Sequence, residues 1–287
     1  IGRSAQGRAR LAALGADPIA LDIFDAEAAR RAMAGHDVVI NLATHMPSSV
    51  FRTMLPWEWR ENDRIRREGA STLAEAALAA GVSRFIQESF APVYADGGAK
   101  WIDESWPQRP APYNRTVLDA ERSANRFTGL GGAGIVLRFA GFYGADPFLR
   151  DMLAVVRRGW APVPGRGDAY WSSVSHADAA SAVVASLALP AGTYNVCDDE
   201  PLTRRSFADA LADAAELRSP RLMPSWMTAV GGKLMELLSR SQRMSNAKLR
   251  GASNWQAKWP SAREGLRVAV VELSEVASGR LRPTTPS

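Results

Sequence analysis

The chain reads as an α/β protein, a doubly wound parallel sheet followed by a smaller C-terminal lobe. Through the first half, short apolar runs alternate with segments of helical period, the pattern of strands joined by crossover helices. At 287 residues and 46% hydrophobic, the chain can bury a large core. After Phe148 the alternation gives way to the turn-rich stretch Trp160-Ala161-Pro162-Val163-Pro164-Gly165-Arg166-Gly167 and then to further helical patterns.

In chain order, the apolar run at 19–22 predicts a strand, and Asp25 stands where a helix over 25–34 needs its N-cap. A second strand follows at 38–42. Leu73, Ala76, Ala77 and Ala80 share one helical face over 68–80, and Gly81 stops that helix. Residues 85–88 form the next strand, and 89–112 a long loop with Pro, Gly and Trp but no period. Such loops, at the carboxyl ends of parallel strands, are where these folds place substrates. A helix over 117–127, strands at 135–139 and 194–197, and helices at 206–217 and 226–238 complete the pattern. Residues 283–287 read as a tail. The division expected is 1–147 for the sheet portion and 148–287 for the lobe, with some later segments returning to the sheet.

Composition excludes several classes. The net charge is +5, but only four lysines occur (Lys100, Lys233, Lys248, Lys258), and the arginines are interleaved with Asp and Glu. No basic stripe marks a nucleic-acid surface. Cys197 is the only cysteine, so no intramolecular disulfide forms. His36, His45 and His176 lack metal-ligand spacing. No apolar run reaches about 18 residues, so no membrane-spanning helix is expected, and the cytoplasm is the default location. Gly129-Leu130-Gly131-Gly132-Ala133-Gly134 spells G-x-G-x-x-G. It follows a helix and precedes a strand, the reverse of a dinucleotide fingerprint, and reads as a helix-to-strand loop.

Six segments occur in the order known from one family. These are 18–23 (PIALDI), 38–43 (VVINLA), 84–94 (RFIQESFAPVY), 137–144 (LRFAGFYG), 175–180 (SHADAA) and 192–196 (GTYNV). Together they resemble the extended short-chain dehydrogenase/reductases, the NAD(P)-dependent epimerase/dehydratase family, over nearly the whole chain. The resemblance implies a Rossmann-like sheet. The family's opening strand, glycine-rich turn and helix, about 30 residues that hold the pyrophosphate, are not in this sequence, which begins at Ile1 as though at the end of the second strand.

The same resemblance implies the site residues. Arg3, at the end of the second strand, either pairs with a 2′-phosphate, favouring NADP over NAD, or is one more surface arginine. Asp22 and Ile23 match the residues at the adenine, and Asn41, Leu42 and Ala43 the turn passing the ribose. Phe139 flanks the nicotinamide, with Gly141 and Phe142 on the substrate side. Tyr94, Trp101 and Trp106 either line a substrate pocket or cover the core edge. Tyr113 matches the catalytic phenol, yet Val117 stands where the family has its lysine. The hydroxyl position falls on Phe90, leaving Ser89 as the candidate. Arg138 reads as a packed arginine bridging strand to loop, and Asp178 as part of a structural turn-to-helix motif. The expected protein is an NAD(P)-dependent oxidoreductase or epimerase acting on a small polar or sugar-like substrate, NADP preferred. A non-catalytic dinucleotide sensor on the same scaffold is the alternative. A homodimer through 61–80 and 113–126 is the pairing that the resemblance suggests.

Overall fold

The computed structural model describes residues 1–46, 52, 55–112, 114–223 and 232–278. Helices α1 (Ala5–Ala13) and α2 (Ala26–Met33) precede strand β1 (Val38–Asn41). A helical stretch then runs from α3 (Arg60–Arg64) through a π-helical turn (Ile65–Gly69) into α4 (Ala70–Ala79). Next come β2 (Arg84–Phe90), β3 (Trp101–Ile102), α5 (Val117–Gly129), β4 (Ala133–Phe139), β5 (Gly141–Tyr143) and α6 (Pro147–Arg157). The remainder is β6 (Tyr170–Trp171), β7 (Ser173–Ser175), α7 (His176–Ala185), β8 (Gly192–Val196), β9 (Leu202–Thr203), α8 (Arg204–Ala214), α9 (Gly232–Ser239), β10 (Arg243–Met244), α10 (Ala247–Ala252) and α11 (Ala262–Ala277).

The main sheet is four parallel strands in the order β1-β2-β4-β8. Successive side chains of β2 serve opposite faces. Phe85 packs with Ala29, Leu73, Ala77 and Phe127 under helices α2, α4 and α5, whereas Ile86 packs with Ile135, Leu137, Val174 and Tyr194 on the other side. Helices on both faces are what two apolar sheet faces require. The C-terminal lobe has its own core, in which α6, α8 and α11 bring together Leu149, Leu153, Phe207, Leu211 and Leu266. Strand β8, far along the chain, returns to the main sheet.

One expected strand does not form. Residues 19–22 are not part of a ladder: Ile19 O accepts from Gly2 N at 3.0 Å, and Asp22 O accepts from Asp25 N at 3.1 Å in the turn that leads into α2. A strand needs a partner along its length, and Ile19 is left exposed. The caps fall as read: Asp25 accepts from Ala28 N at 2.9 Å and starts α2. The glycine-rich run at 129–134 is the α5-to-β4 loop. Gly131 has φ of +99°, and a Cβ on Gly134 would lie 2.0 Å from Ala124 O, so these glycines serve a tight turn and close helix-on-strand packing.

Candidate dinucleotide and substrate site

The carboxyl end of β1 is shaped by a side chain. Asn41 is buried, its Nδ2 donates to Gln87 Oε1 at 2.8 Å, and its Oδ1 accepts from Ala43 N at 3.1 Å. This holds the 41–43 backbone in a turn and leaves Leu42 half exposed above it. Two residues further on, His45 N donates to Asn62 Oδ1 at 2.9 Å. Asp22 is exposed and accepts from Phe24 N at 3.0 Å, while Ile23 packs so closely on Gly69 that a Cβ there would meet its Cδ1 at 2.9 Å. Arg3 is exposed immediately before Ser4, the N-cap of α1. The Gly2–Ile19 bond sets Arg3 beside the 19–22 segment.

Ser89 and Tyr94 are found elsewhere than a cleft. Both are fully buried. Ser89 Oγ donates to Glu121 Oε1 at 2.5 Å, and Arg138 grips the same carboxylate with Nε at 2.7 Å and Nη2 at 2.6 Å. Arg138 Nη1 donates to the Tyr94 hydroxyl at 2.8 Å, which in turn donates to Asn195 Oδ1 at 2.7 Å. One chain of charge-assisted bonds thus ties β2, the following loop, α5, β4 and β8. Burial pushes the Tyr94 phenol up to about 12, so it is neutral and acts as a donor. Hydrogen bonds to Glu121 hold Arg138 above its ordinary value against the cost of burial. Ser89 and Tyr94 therefore present no group to a substrate in this arrangement. Arg138 is the bridging arginine that the sequence suggested. Trp106 packs against the core edge, and Trp101 is exposed beneath the Arg243 guanidinium, 4.1 Å from its ring centroid.

Tyr113 lies outside the described residues. On either side of it, Ala111 N donates to Asn114 Oδ1 at 2.8 Å, and Thr116 Oγ1 donates to Asp63 Oδ1 at 2.7 Å. Val117, four residues on in the sequence, is 1% exposed, packed at the first position of α5. Around this corner several buried polar atoms have no hydrogen-bond partner among the described residues: Asn62 Nδ2, Arg66 Nε, Glu88 Oε2 and Asn114 Nδ2. The Arg66–Glu88 ion pair, 3.2 Å, and the Thr116–Asp63 bond join their elements. A bound polar group, an ordered water or local strain each accounts for buried atoms left this way. The π-helical turn carrying Arg66 is itself a geometry frequent at functional sites.

Phe139 ends β4, with its ring centroid 5.3 Å from that of Phe142, which stands 5.9 Å from His176. Gly141 has the Trp171 indole against it, since a Cβ there would lie 2.7 Å from Cζ2. Asp178 is structural, as read: it accepts from Ser175 Oγ at 2.7 Å and from Lys258 N at 2.6 Å. The structure also brings in residues that the sequence reading did not name. Glu121 and Asn195 complete the buried network, and Arg204 and Arg240 lie buried in the lobe. A helical-period count would have found Arg204, because it shares the inward stripe of Phe207, Ala208 and Leu211. Glu121 carries no such signal. Among the described residues, no group of three or more His, Cys, Asp or Glu could hold a metal ion, and no helix is long and apolar enough to cross a membrane. A shallow cleft of about 850 Å³ lies between Trp101, Asn246, Arg250 and Trp255; of the residues singled out in the sequence, Trp101 lines it, and Arg3, Asp22, Asn41, Ser89, Tyr94, Phe139, Gly141 and Phe142 do not.

A family model for NAD(P)H-binding matches residues 1–129. Among characterised proteins, the chain is 29% identical over 260 residues to a 3-diazoavenalumate denitrifying reductase of a Streptomyces species, covering 86% of this chain and 85% of that one. It is 28% identical over 281 residues to a 4-hydroxy-2-methyl-3-oxo-4-farnesyl-3,4-dihydroquinoline-1-oxide ketoreductase of Stigmatella aurantiaca, covering 93% and 76%. Among solved structures, it superposes on a human epimerase family protein with NADPH at a TM-score of 0.71 and 19% identity, covering 85% and 86%. It superposes on dTDP-glucose 4,6-dehydratase from Streptomyces venezuelae, with NAD and TYD bound, at 0.73 and 24%, covering 97% and 86%.

Proposed function

We propose that this chain, which shares the fold of the dinucleotide-dependent structures above and matches an NAD(P)H-binding family model over residues 1–129, is an NAD(P)H-dependent reductase, NADPH preferred, acting on a small polar substrate. The observation that supports this is the side-chain-held turn at Asn41, at the carboxyl end of β1, with His45 N just beyond it bonded to Asn62, whose Nδ2 has no partner among the described residues. Those residues fit the ribose and nicotinamide end of a dinucleotide. Arg3 would take a 2′-phosphate, Asp22 the adenine amino group, with Ile23 against the ring, and Phe139 would flank the nicotinamide. The bound cofactor would supply a hydride to an electrophilic carbon.

The protein's part is then position and a proton. Gly141 and Phe142 border the substrate, and the Tyr113 phenol gives its proton to the oxygen that becomes the alcohol, so that hydride and proton add across one C=O bond. The fourth residue after Tyr113 is buried Val117, where the family resemblance implies an ammonium. An unassisted phenol titrates at about 10 and stays protonated at neutral pH. That state suits proton donation in a reduction and not proton abstraction in an oxidation. The two characterised relatives, both reductases by name, agree with that direction.

The test is NADPH oxidation with aromatic and aliphatic ketones and quinones, read beside NADPH binding by nicotinamide fluorescence. Tyr113→Phe should lower kcat about 100-fold or more with unchanged NADPH affinity, within the usual worth of general-acid catalysis. NADPH bound tightly with no turnover on any of these would instead establish the sensor reading. That alternative is favoured by one observation, the Ser89 hydroxyl spent on Glu121. A homodimer through α3–α4 and α5 belongs to the same proposal, and sedimentation at micromolar concentration tests it.

A further inference from the structure

Arg204 is an anomaly of the lobe. It is 1% exposed, yet Nε and Nη1 have no partner among the described residues, and only Nη2 is engaged, donating to Arg240 O at 2.7 Å. A buried guanidinium with two idle donors is costly unless something meets it. Desolvation pulls its pKa down to about 10. The nearby carboxylate, Asp96, accepts from Gly98 N and Ser241 N, at 2.9 and 2.8 Å, and makes no hydrogen bond to Arg204. The amides at the start of α8 are also taken: Arg204 N by Ala169 O, Arg205 N by Gly167 O and Ser206 N by Thr203 Oγ1. Among the described residues here, Nε and Nη1 of Arg204 are thus donors without an acceptor.

Its surroundings lead back to the substrate side. The guanidinium carbon stands 5.2 Å from the Trp171 ring centroid, and the same indole lies against Gly141. Gly165, at φ +116°, faces Nε, and a Cβ there would lie 2.9 Å from it. Any larger residue would crowd that donor. Trp171 thus spans the distance from Gly141, beside the end of β4, to an unpaired buried cation.

We propose that Arg204 receives an anionic group of the substrate, a carboxylate or a phosphate, which reaches it alongside Trp171 from Gly141. This rests on the reductase reading and adds the substrate's class: a molecule with its reducible centre at one end and an acid at the other. Arginine suits either acid through paired N–H donors.

The experiment is calorimetric titration of the whole chain, saturated with NADPH, with benzoate, phenyl phosphate and the neutral isostere benzamide. NADPH binding alone reports on the reductase reading and is measured first. The expected result is that one or both anions bind at least tenfold more tightly than benzamide, and that Arg204→Met removes that preference while NADPH affinity holds. Tighter binding of benzoate would mark a carboxylate substrate, and tighter binding of phenyl phosphate a phosphorylated one. Three results would overturn the proposal: equal binding of anions and benzamide by the unaltered protein, an undiminished preference in Arg204→Met, or anion binding that saturating NADPH abolishes, which would place the anion in the dinucleotide's own path. If Arg204→Met does not fold, the comparison of anions with benzamide on the unaltered protein still decides.

Discussion

Replacing Glu121 by leucine tests the buried network most directly. Its carboxylate accepts three bonds from fully enclosed donors, Arg138 Nε at 2.7 Å, Arg138 Nη2 at 2.6 Å and Ser89 Oγ at 2.5 Å. Removing it strands a guanidinium that is 2% exposed. Breaking a buried pair from one side costs about 3–5 kcal/mol, and the Ser89 hydroxyl adds about 1 kcal/mol for its lost acceptor. Taken together, about 4–6 kcal/mol is a large share of a domain's stability. Arg138→Met should cost a similar amount, because it leaves the carboxylate buried alone. The double variant Glu121→Leu/Arg138→Met leaves neither charge and should be far more stable than the sum of the single losses predicts, with a coupling of about 2 kcal/mol or more. Urea unfolding followed by tryptophan fluorescence measures all three. A single-variant loss below about 1 kcal/mol, or strict additivity, would refute the reasoning.

Asp198 is buried with Oδ1 unpartnered among the described residues, and burial raises its carboxyl well above the usual range despite the Ser173 hydroxyl on Oδ2. A raised folded-state value means that the stability it contributes is complete below about pH 4 and is lost as pH climbs through that raised value. Asp198→Asn should therefore stabilise by roughly 1–3 kcal/mol at pH 8 and by little at pH 4, read as melting temperature against pH. Gly134→Ala puts a methyl 2.0 Å from Ala124 O and should cost about 3 kcal/mol or more in urea unfolding, while Gly129→Ala, with open space around it, should be near neutral. Arg3→Asp should move relative affinity from NADPH toward NADH in fluorescence titrations, and an unchanged ratio would remove Arg3 from the cofactor site.

Sequence periodicity sufficed for most of the sheet. Strands β1, β2, β4 and β8 fall on four of the five apolar runs expected; β2 and β4 bury apolar residues on both faces, whereas β1, at the edge of the described sheet, leaves Ile40 exposed. The run at 19–22 misled, since composition reports burial and not the presence of a ladder partner. The chemistry of the site was less legible. That Ser89 faces Glu121 depends on the register of β2 against α5, a tertiary fact that no local pattern records. Glu121 itself looks like any helix-surface acid between Ala120 and Arg122. The resemblance put Asn41 at a turn, and its side chain does hold the backbone there, but its second bond, to Gln87 on the neighbouring strand, depends on sheet register that the sequence does not record. Arg204 was half legible: its place on the apolar stripe shows in the sequence, but its unpaired donors do not.

The Glu121–Arg138 pair also constrains how this protein can change over time. Either partner alone is nearly fixed, because each single replacement passes through a molecule with an unmatched charge in its centre. Descendants of this sequence should keep both residues or lose both together. Ser89 and Tyr94, each bonded to one member of the pair, should then drift only after the pair has gone.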